Sequence, residues 1–436
     1  MCQLAIFGGK PVRERAFPSW PVFGEGEERA LLQVLWSGKW WRYSYGEGLE
    51  LREPENGQPR SVVAEFQEAF AKLQGAKYGV ACANGTAAIE VALKATGVGP
   101  GDEVIVPAYT FIATASAVLM NNAVPVFADI DSDTFNILPE RVEQAISPKT
   151  RALIVVHFAG HAADMDSLLQ IAKGHNLILI EDAAHAHGAA WRDRGLGSIG
   201  QAGTFSFQAS KNMTAGEGGL ITVNDKDLAI RCESYIWAGR EFDRPWYEHH
   251  RLGWNYRMTE FQGAILLEQL KRVEEQNARR HQNALYLNRR LADFPGVRPL
   301  AQHDYATRHS HHIYIFRFDE SLFGISRADF LSALTEEGIP CSAGYAHPLY
   351  KNPMFLNQNF YPRGCPVDCG HYNRKIDYAS FADACPNTEQ ACREAVWLEH
   401  RLLLGDKEDM EDILRAVSKI YERRGDFNAQ KAIAHP

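Results

Sequence analysis

Between about residues 76 and 225 the chain alternates short apolar runs with helical patterns, and this constrains the fold more than any other feature. Tyr78 to Ala83 is a strand-like run ending at Asn84-Gly85-Thr86, and a helical pattern follows from Ala87 to Thr96, closed by Gly97. Glu103 to Val106 is stopped by Pro107, and Pro125 to Ala128 is the next run. Pro139 opens a helix to Ile146, proline being favoured at a first helical position. Ala152 to Val156 and Leu177 to Ile180 are apolar throughout, as in strands covered on both faces, with a helix between them from Met165 to Lys173. Such alternation predicts an α/β fold: a largely parallel sheet with helices on both sides. In these sheets ligands sit beyond the carboxyl ends of the strands, so the residues just after each strand carry the most information.

Those strand ends form a series. Asn84-Gly85-Thr86 opens a helix and reads as an anion site or as a simple cap. Phe111, after Pro107, reads as a ring that stacks on a flat ligand or as core. Glu181 and Asp182 end a buried strand and are followed by His185 and His187. Buried acids need partners. A carboxylate here can keep a pyridine nitrogen protonated, and a metal site or helix capping are the other readings. Ser206, flanked by Thr204 and Ser210, is a phosphate donor or a structural hydroxyl.

Five residues after Ser206 stands Lys211, bracketed by Phe205, Phe207, Met213 and the Gly216-Glu217-Gly218-Gly219 turn. An apolar stretch feeding a glycine-rich turn lowers a lysine's pKa and prepares it for a Schiff base with an aldehyde. Read together, the strand ends supply a phosphate cradle, a stacking ring, a pyridine acid and a lysine, in that order. These are the parts of a pyridoxal phosphate (PLP) site.

The 436 residues are 45% apolar and 23% charged, with a net charge of −8. That composition suits a soluble protein with one large and one smaller domain and gives no nucleic-acid footprint. No apolar stretch reaches the roughly 18 residues of a membrane span. The start lacks a signal-like pattern, so the expected location is cytoplasmic. The eight cysteines lack the paired spacing of a zinc site, and free thiols are expected. Residues 258 to 292 read as one long amphipathic helix, and residues 310 to 425 as strand and helix again. Residues 45–60 and 351–380, polar and rich in Gly and Pro, read as loops. The expected division is an N-terminal segment with an entrance loop (1–60), a large domain (61–292), a small α+β domain (293–425) and a disordered tail (426–436).

These residues together resemble the DegT/StrS aminotransferase family of fold-type I PLP enzymes. The resemblance runs from about residue 4 to 425. It rests on Leu4 to Val12, Asn84 to Thr86, Gly97 to Pro107, Glu181 to Gly188, Ser206 to Gly219 and Asn255 to Glu260. It implies a mostly parallel seven-stranded sheet sandwiched by helices, and a PLP-dependent aminotransferase. Lys211 would hold the cofactor and shuttle a proton. Asp182 would pair with the pyridine nitrogen, Phe111 would stack on the ring, and His185 would lie on its hydroxyl side. Gly85, Thr86 and Ser206 would bind phosphate, and Asn255 would reach the phosphate of a neighbouring subunit, which makes a homodimer part of the expectation. From the residues alone, Asn255 is a loop position.

One departure narrows the branch. Sugar-nucleotide members commonly carry His two residues after the serine matching Ser206, where this chain has Gln208, taken here as a further cofactor contact. That pattern looks more like the 3-amino-5-hydroxybenzoate synthases and inosose aminotransferases. Trp40-Trp41-Arg42, Cys385 to Thr388 and Trp397 to Leu404 resemble the first of these. The leading expectation is amino transfer from glutamate or glutamine to a keto group of a sugar, cyclitol or related ring. The alternatives are an aromatising synthase and, remotely, a non-catalytic regulator. Sugar 3-dehydratases of the family carry His in place of the lysine, so Lys211 argues against them. Trp41, Arg42, Tyr345 and His347 are the candidate substrate-lining residues.

Overall fold

The computed structural model describes residues 3–45, 60–368 and 370–427. A seven-stranded sheet forms its centre. The strands are β1 (Tyr78–Cys82), β2 (Glu103–Pro107), β3 (Val124–Ala128), β4 (Thr150–Val156) and β5 (Ile178–Asp182). After a short hairpin, β6 (Ala190–Trp191) and β7 (Arg194–Gly195), come β8 (Ala202–Ser206) and β9 (Gly219–Val223). The order is β1-β9-β8-β5-β4-β2-β3, and β9 alone runs against its neighbours. The carboxyl ends of the other six strands therefore share one edge.

The strands lie between helices because both of their faces are apolar. Along β2, Val104 and Val106 join one buried cluster while Ile105 joins the other; along β5, Ile180 and Leu179 divide in the same way. This is the period-2 pleat acting on a continuous apolar run. The covering helices include α1 (Glu25–Ser37), α2 (Val62–Gln74), α3 (Gly85–Ala95), α4 (Ala113–Met120), α5 (Pro139–Ala145), α6 (Met165–Gly174) and α7 (Lys226–Ile236). Asn84, Asp164 and Asp225 cap α3, α6 and α7 through their side chains.

The expected single helix over 258–292 is two, α8 (Glu260–Leu270) and α9 (Val273–Leu291). Leu266 of α8 faces the large sheet's core, whereas Ala284, Leu287 and Leu291 of α9 pack on a separate three-stranded sheet. At the break, Arg272 bonds Glu27 and the carbonyl of Val22. That second sheet joins β10 (Val297–Pro299), β11 (Ile313–Phe318) and β12 (Ala395–Glu399), all antiparallel. Leu4 and Phe17 from the N-terminal segment complete its core.

Residues 351–380 are not simply a loop. They include a short helix at Pro353–Leu356, and they bury Phe355, Tyr372 and Tyr378 in the large sheet's core. Glu103 anchors them, accepting from Tyr372 Oη at 2.7 Å and Arg374 Nη1 at 3.0 Å. This part of the expected small domain therefore packs on the large one. At the start of the expected tail, Phe427 is 4% exposed and meets Phe7 edge-on. The rest of the expected tail, and residues 46–59 of the expected entrance loop, lie outside the described residues. Among the described residues Cys82, Cys232, Cys341, Cys385 and Cys392 are free thiols, and no helix is long and apolar enough to cross a membrane.

Candidate active site

Asp182 is the last residue of β5 and is 5% exposed. Its Oδ2 accepts from Thr114 Oγ1 of α4 at 2.8 Å, and its Oδ1 accepts a longer bond of 3.3 Å from Ala184 N. Burial raises its carboxyl pKa, and Thr114, Ala184 and the Lys211 charge pull it back in part. No cation pairs with it within 4.0 Å among the described residues.

The pleat separates the two acids. Glu181 points the other way and accepts from His157 Nε2 (2.9 Å) and from the N–H groups of Gly197, Ile199 and Gly200 (2.7 Å each). It is a structural anchor, and these donors hold its pKa down against burial. His187 is fully buried, stacked 5.3 Å from Phe207, and burial lowers its pKa to about 3. Asp182, His185 and His187 therefore do not form a metal site, and the described residues hold no cluster of three metal ligands.

His185 lies in the site, its ring 4.2 Å from that of His312. Burial, then the Lys211 charge, keeps it neutral, and its buried Nδ1 has no protein partner. Lys211 follows β8 by five residues. Burial lowers its pKa to about 8, with the Asp182 carboxylate partly opposing that shift. Roughly a tenth is thus free amine at pH 7, far more than for an ordinary lysine.

Ser206 ends β8 beside the open N-terminus of α3. A Cβ added at Gly85 would fall 2.7 Å from the Ser206 Cβ. Only glycine lets the two elements approach so closely, and the N–H groups of Gly85 and Thr86 start the helix there. Gln208 bonds its own loop: its Oε1 accepts from Ser210 N (2.9 Å) and Ser210 Oγ (2.8 Å), which leaves its NH2 group for a ligand. Phe111, at the start of α4, is 57% exposed.

Pyridoxal phosphate fits this set. A buried carboxylate without a cation suits a pyridinium, an unpartnered His185 nitrogen suits the ring's polar edge, and the helix terminus beside Ser206 suits a phosphate.

The substrate candidates divide. Tyr345 lies against Tyr109 and Trp397, and burial with the nearby Asp182 charge keeps its phenol protonated. Trp41 is partly exposed, with Arg257 over its face. His347 is exposed. Arg42 does not line an opening: it is buried, and its Nη1 donates to Gln67 Oε1 (2.8 Å) and Glu233 Oε1 (3.0 Å). A neighbouring Trp41 in sequence made it look like a binding group, but its carboxylate partner is on α7. Asn255 is exposed, with its backbone bridged to Trp237. Thr114, His312 and His400 went unnoticed in the sequence. Thr114 lies one helical turn beyond Phe111, and the histidine run 309–312 was the available signal for His312.

A parallel sheet with a buried acid, a low-pKa lysine and a helix-borne phosphate cradle at one edge defines a fold-type I PLP-dependent transferase. Residues 58–383 match the DegT/DnrJ/EryC1/StrS aminotransferase family, and the chain belongs to it. It is 40% identical over 435 residues to the L-glutamine:2-deoxy-scyllo-inosose aminotransferase of Streptomyces fradiae, spanning 97% of this chain and 99% of that one. It is 36% identical over 396 residues to the 3-amino-5-hydroxybenzoate synthase of Amycolatopsis mediterranei, spanning 90% and 94%. Among solved structures, a 3-amino-5-hydroxybenzoic acid synthase superposes with a TM-score of 0.82 at 34% identity, covering 94% of this chain and 100% of that chain. DesV of S. venezuelae, in complex with a ketimine intermediate, gives 0.75 at 30%, covering 92% and 95%. The protein is a PLP-dependent aminotransferase.

Proposed function

We propose that this enzyme moves the α-amino group of L-glutamine to a ring ketone of a cyclitol, in the making of an amino-bearing small molecule. The observation that carries the reading is Lys211 and Asp182 at one sheet edge, in a chain alike over nearly its whole length to a glutamine:inosose aminotransferase.

When bound, PLP supplies the electron sink that makes the donor α-proton removable and carries the amine between donor and acceptor. The protein's part is to hold and to move protons. Asp182, kept in place by Thr114, meets the pyridine nitrogen. His185, neutral, offers Nδ1 to the polar edge of the ring without adding charge. Gly85, Thr86, Ser206 and the Gln208 amide bind the phosphate, and Phe111 covers a face. The Lys211 amine takes the α-proton of the donor and returns one to the carbon of the acceptor, a task suited to a pKa near neutrality.

The same proposal includes a homodimer in which Asn255 reaches the partner's phosphate. Its exposure on its own subunit supports this. Trp41, Tyr345 and His347 are proposed to line the substrate entrance.

The likeness to 3-amino-5-hydroxybenzoate synthases favours a second reading, an aromatising loss of water that also uses a lysine. Purified enzyme given PLP, L-glutamine and either 2-deoxy-scyllo-inosose or a keto-sugar nucleotide separates these. Aminated inosose supports the proposal. Amination of the nucleotide sugar alone, or a dehydrated aromatic product, rejects it.

A further inference from the structure

The loop carrying Lys211 is gripped from both sides by groups distant in sequence. Ala209 O accepts from Trp20 Nε1 at 3.0 Å, and Ser210 O lies 3.0 Å from His400 Nε2. Asn212 Nδ2 donates to Ser310 O at 2.8 Å, and Asn212 Oδ1 lies 3.0 Å from His312 Nδ1. Behind His400, its Nδ1 is 3.2 Å from Arg280 Nη2.

These partners assign the protons. A guanidinium only donates and a carbonyl only accepts, so His400 accepts at Nδ1 and donates from Nε2 to Ser210. Ser310 O orients the Asn212 amide, so His312 donates from Nδ1. A second proton on His400 would face the buried Arg280 guanidinium, and burial with the Arg280, Lys211 and Arg401 charges keeps it neutral. His312 is held neutral by burial, with the Lys211 charge acting in the same direction. The rings form a column, His400 to His312 at 5.7 Å and His312 to His185 at 4.2 Å. It runs from the end of β12, past the start of β11, into the site.

We propose that His400, backed by Arg280, and His312 are positioning residues. Acting through Ser210 and Asn212, they hold the Lys211 amine where it can exchange a proton with substrate carbon. This rests on the proposed role of Lys211. It explains why the two imidazoles bond the residues on either side of Lys211 and not Lys211 itself.

His400→Gln keeps a donor and an acceptor at comparable reach, His400→Leu removes both, and His400→Asn keeps a donor that falls short. The asparagine variant covers the case in which leucine, leaving Arg280 and Ser210 unpartnered, prevents folding. Three quantities are compared: kcat and KM for glutamine, and the rate at which the visible band of lysine-bound cofactor forms when PLP is added to apoprotein of verified fold. The leucine and asparagine variants are expected to lose about 10- to 100-fold in kcat with KM changed less than about threefold, and to form the band more slowly, while the glutamine variant stays within about threefold of wild type. A folded leucine or asparagine variant with wild-type kcat and band rate overturns the proposal, as does a glutamine variant as impaired as leucine. Lys211→Ala, run in parallel, separates the failures. If it keeps full activity, the role of Lys211 falls; if it is inactive while the His400 variants are normal, only the positioning role falls.

Discussion

Thr114 Oγ1 donates to Asp182 Oδ2 at 2.8 Å, the one side-chain bond made to this carboxylate among the described residues. It places a helix that starts under Phe111 in direct control of the acid that serves the cofactor. Thr114→Val keeps the shape and removes the donor. With the carboxylate buried, losing a bond to a charged acceptor costs about 1.5–3 kcal/mol. The dissociation constant for PLP, measured by fluorescence titration, should therefore rise by roughly 10- to 100-fold while the fold is retained.

The Lys211 pKa near 8 follows mainly from burial, with the Asp182 charge opposing. Asp182→Asn removes the opposing charge, so the pKa should fall below that of wild type. Acylation of Lys211 in the apoprotein, followed by peptide mass spectrometry against pH, reads it directly. The wild-type midpoint should lie near 8 and the variant's lower. The sign for stability follows. Between about 8 and the ordinary lysine value of 10.5, the unfolded chain binds the proton and the folded one does not. Apoprotein stability should thus gain from this group as pH rises through that window.

His187 acts with the same sign on the acid side. It is buried neutral against Phe207, with a pKa lowered to about 3. As pH falls from 6.5 toward 3, the unfolded chain takes up a proton that the folded chain refuses, and stability is lost. His187→Phe removes that contribution. Thermal unfolding across pH 4–7 should show a shallower acid decline than wild type. An equally steep decline would remove His187 from the account.

Gly85 sits where a methyl group would meet the Ser206 Cβ at 2.7 Å. Gly85→Ala should push α3 and Ser206 apart at the phosphate cradle. The expected result is weaker PLP binding together with a lower apoprotein melting temperature, because the Ser206 Cβ and Cα cannot swing aside.

What could be read from the sequence, and what could not, follows from distance along the chain. β4 and β5 were visible because a strand buried on both faces is an unbroken apolar run, and the rule of ligands at strand ends then pointed to Asp182. Which of Glu181 and Asp182 faces the site depends on pleat and register, and on the backbone donors at Gly197, Ile199 and Gly200. The break between α8 and α9 depends on Glu27, far earlier in the chain, and the burial of Arg42 on Glu233. Residues 351–380 looked like a loop because Gly, Pro and charged residues mask three aromatic anchors, and the partners of Tyr372 and Tyr378, Glu103 and the Pro125 carbonyl, lie far earlier in the chain. His400 and His312 touch the lysine loop across nearly two hundred and one hundred positions, a relation no local pattern encodes.

The central claim is amino transfer from glutamine to a cyclitol ketone through Lys211. Its most direct test uses L-glutamine labelled with 15N at the α-amino group, 2-deoxy-scyllo-inosose and the holoenzyme. Product mass should show one 15N bonded to ring carbon with wild type and none with Lys211→Ala. Unlabelled or dehydrated product, or labelled product from the Lys211→Ala variant, would contradict it.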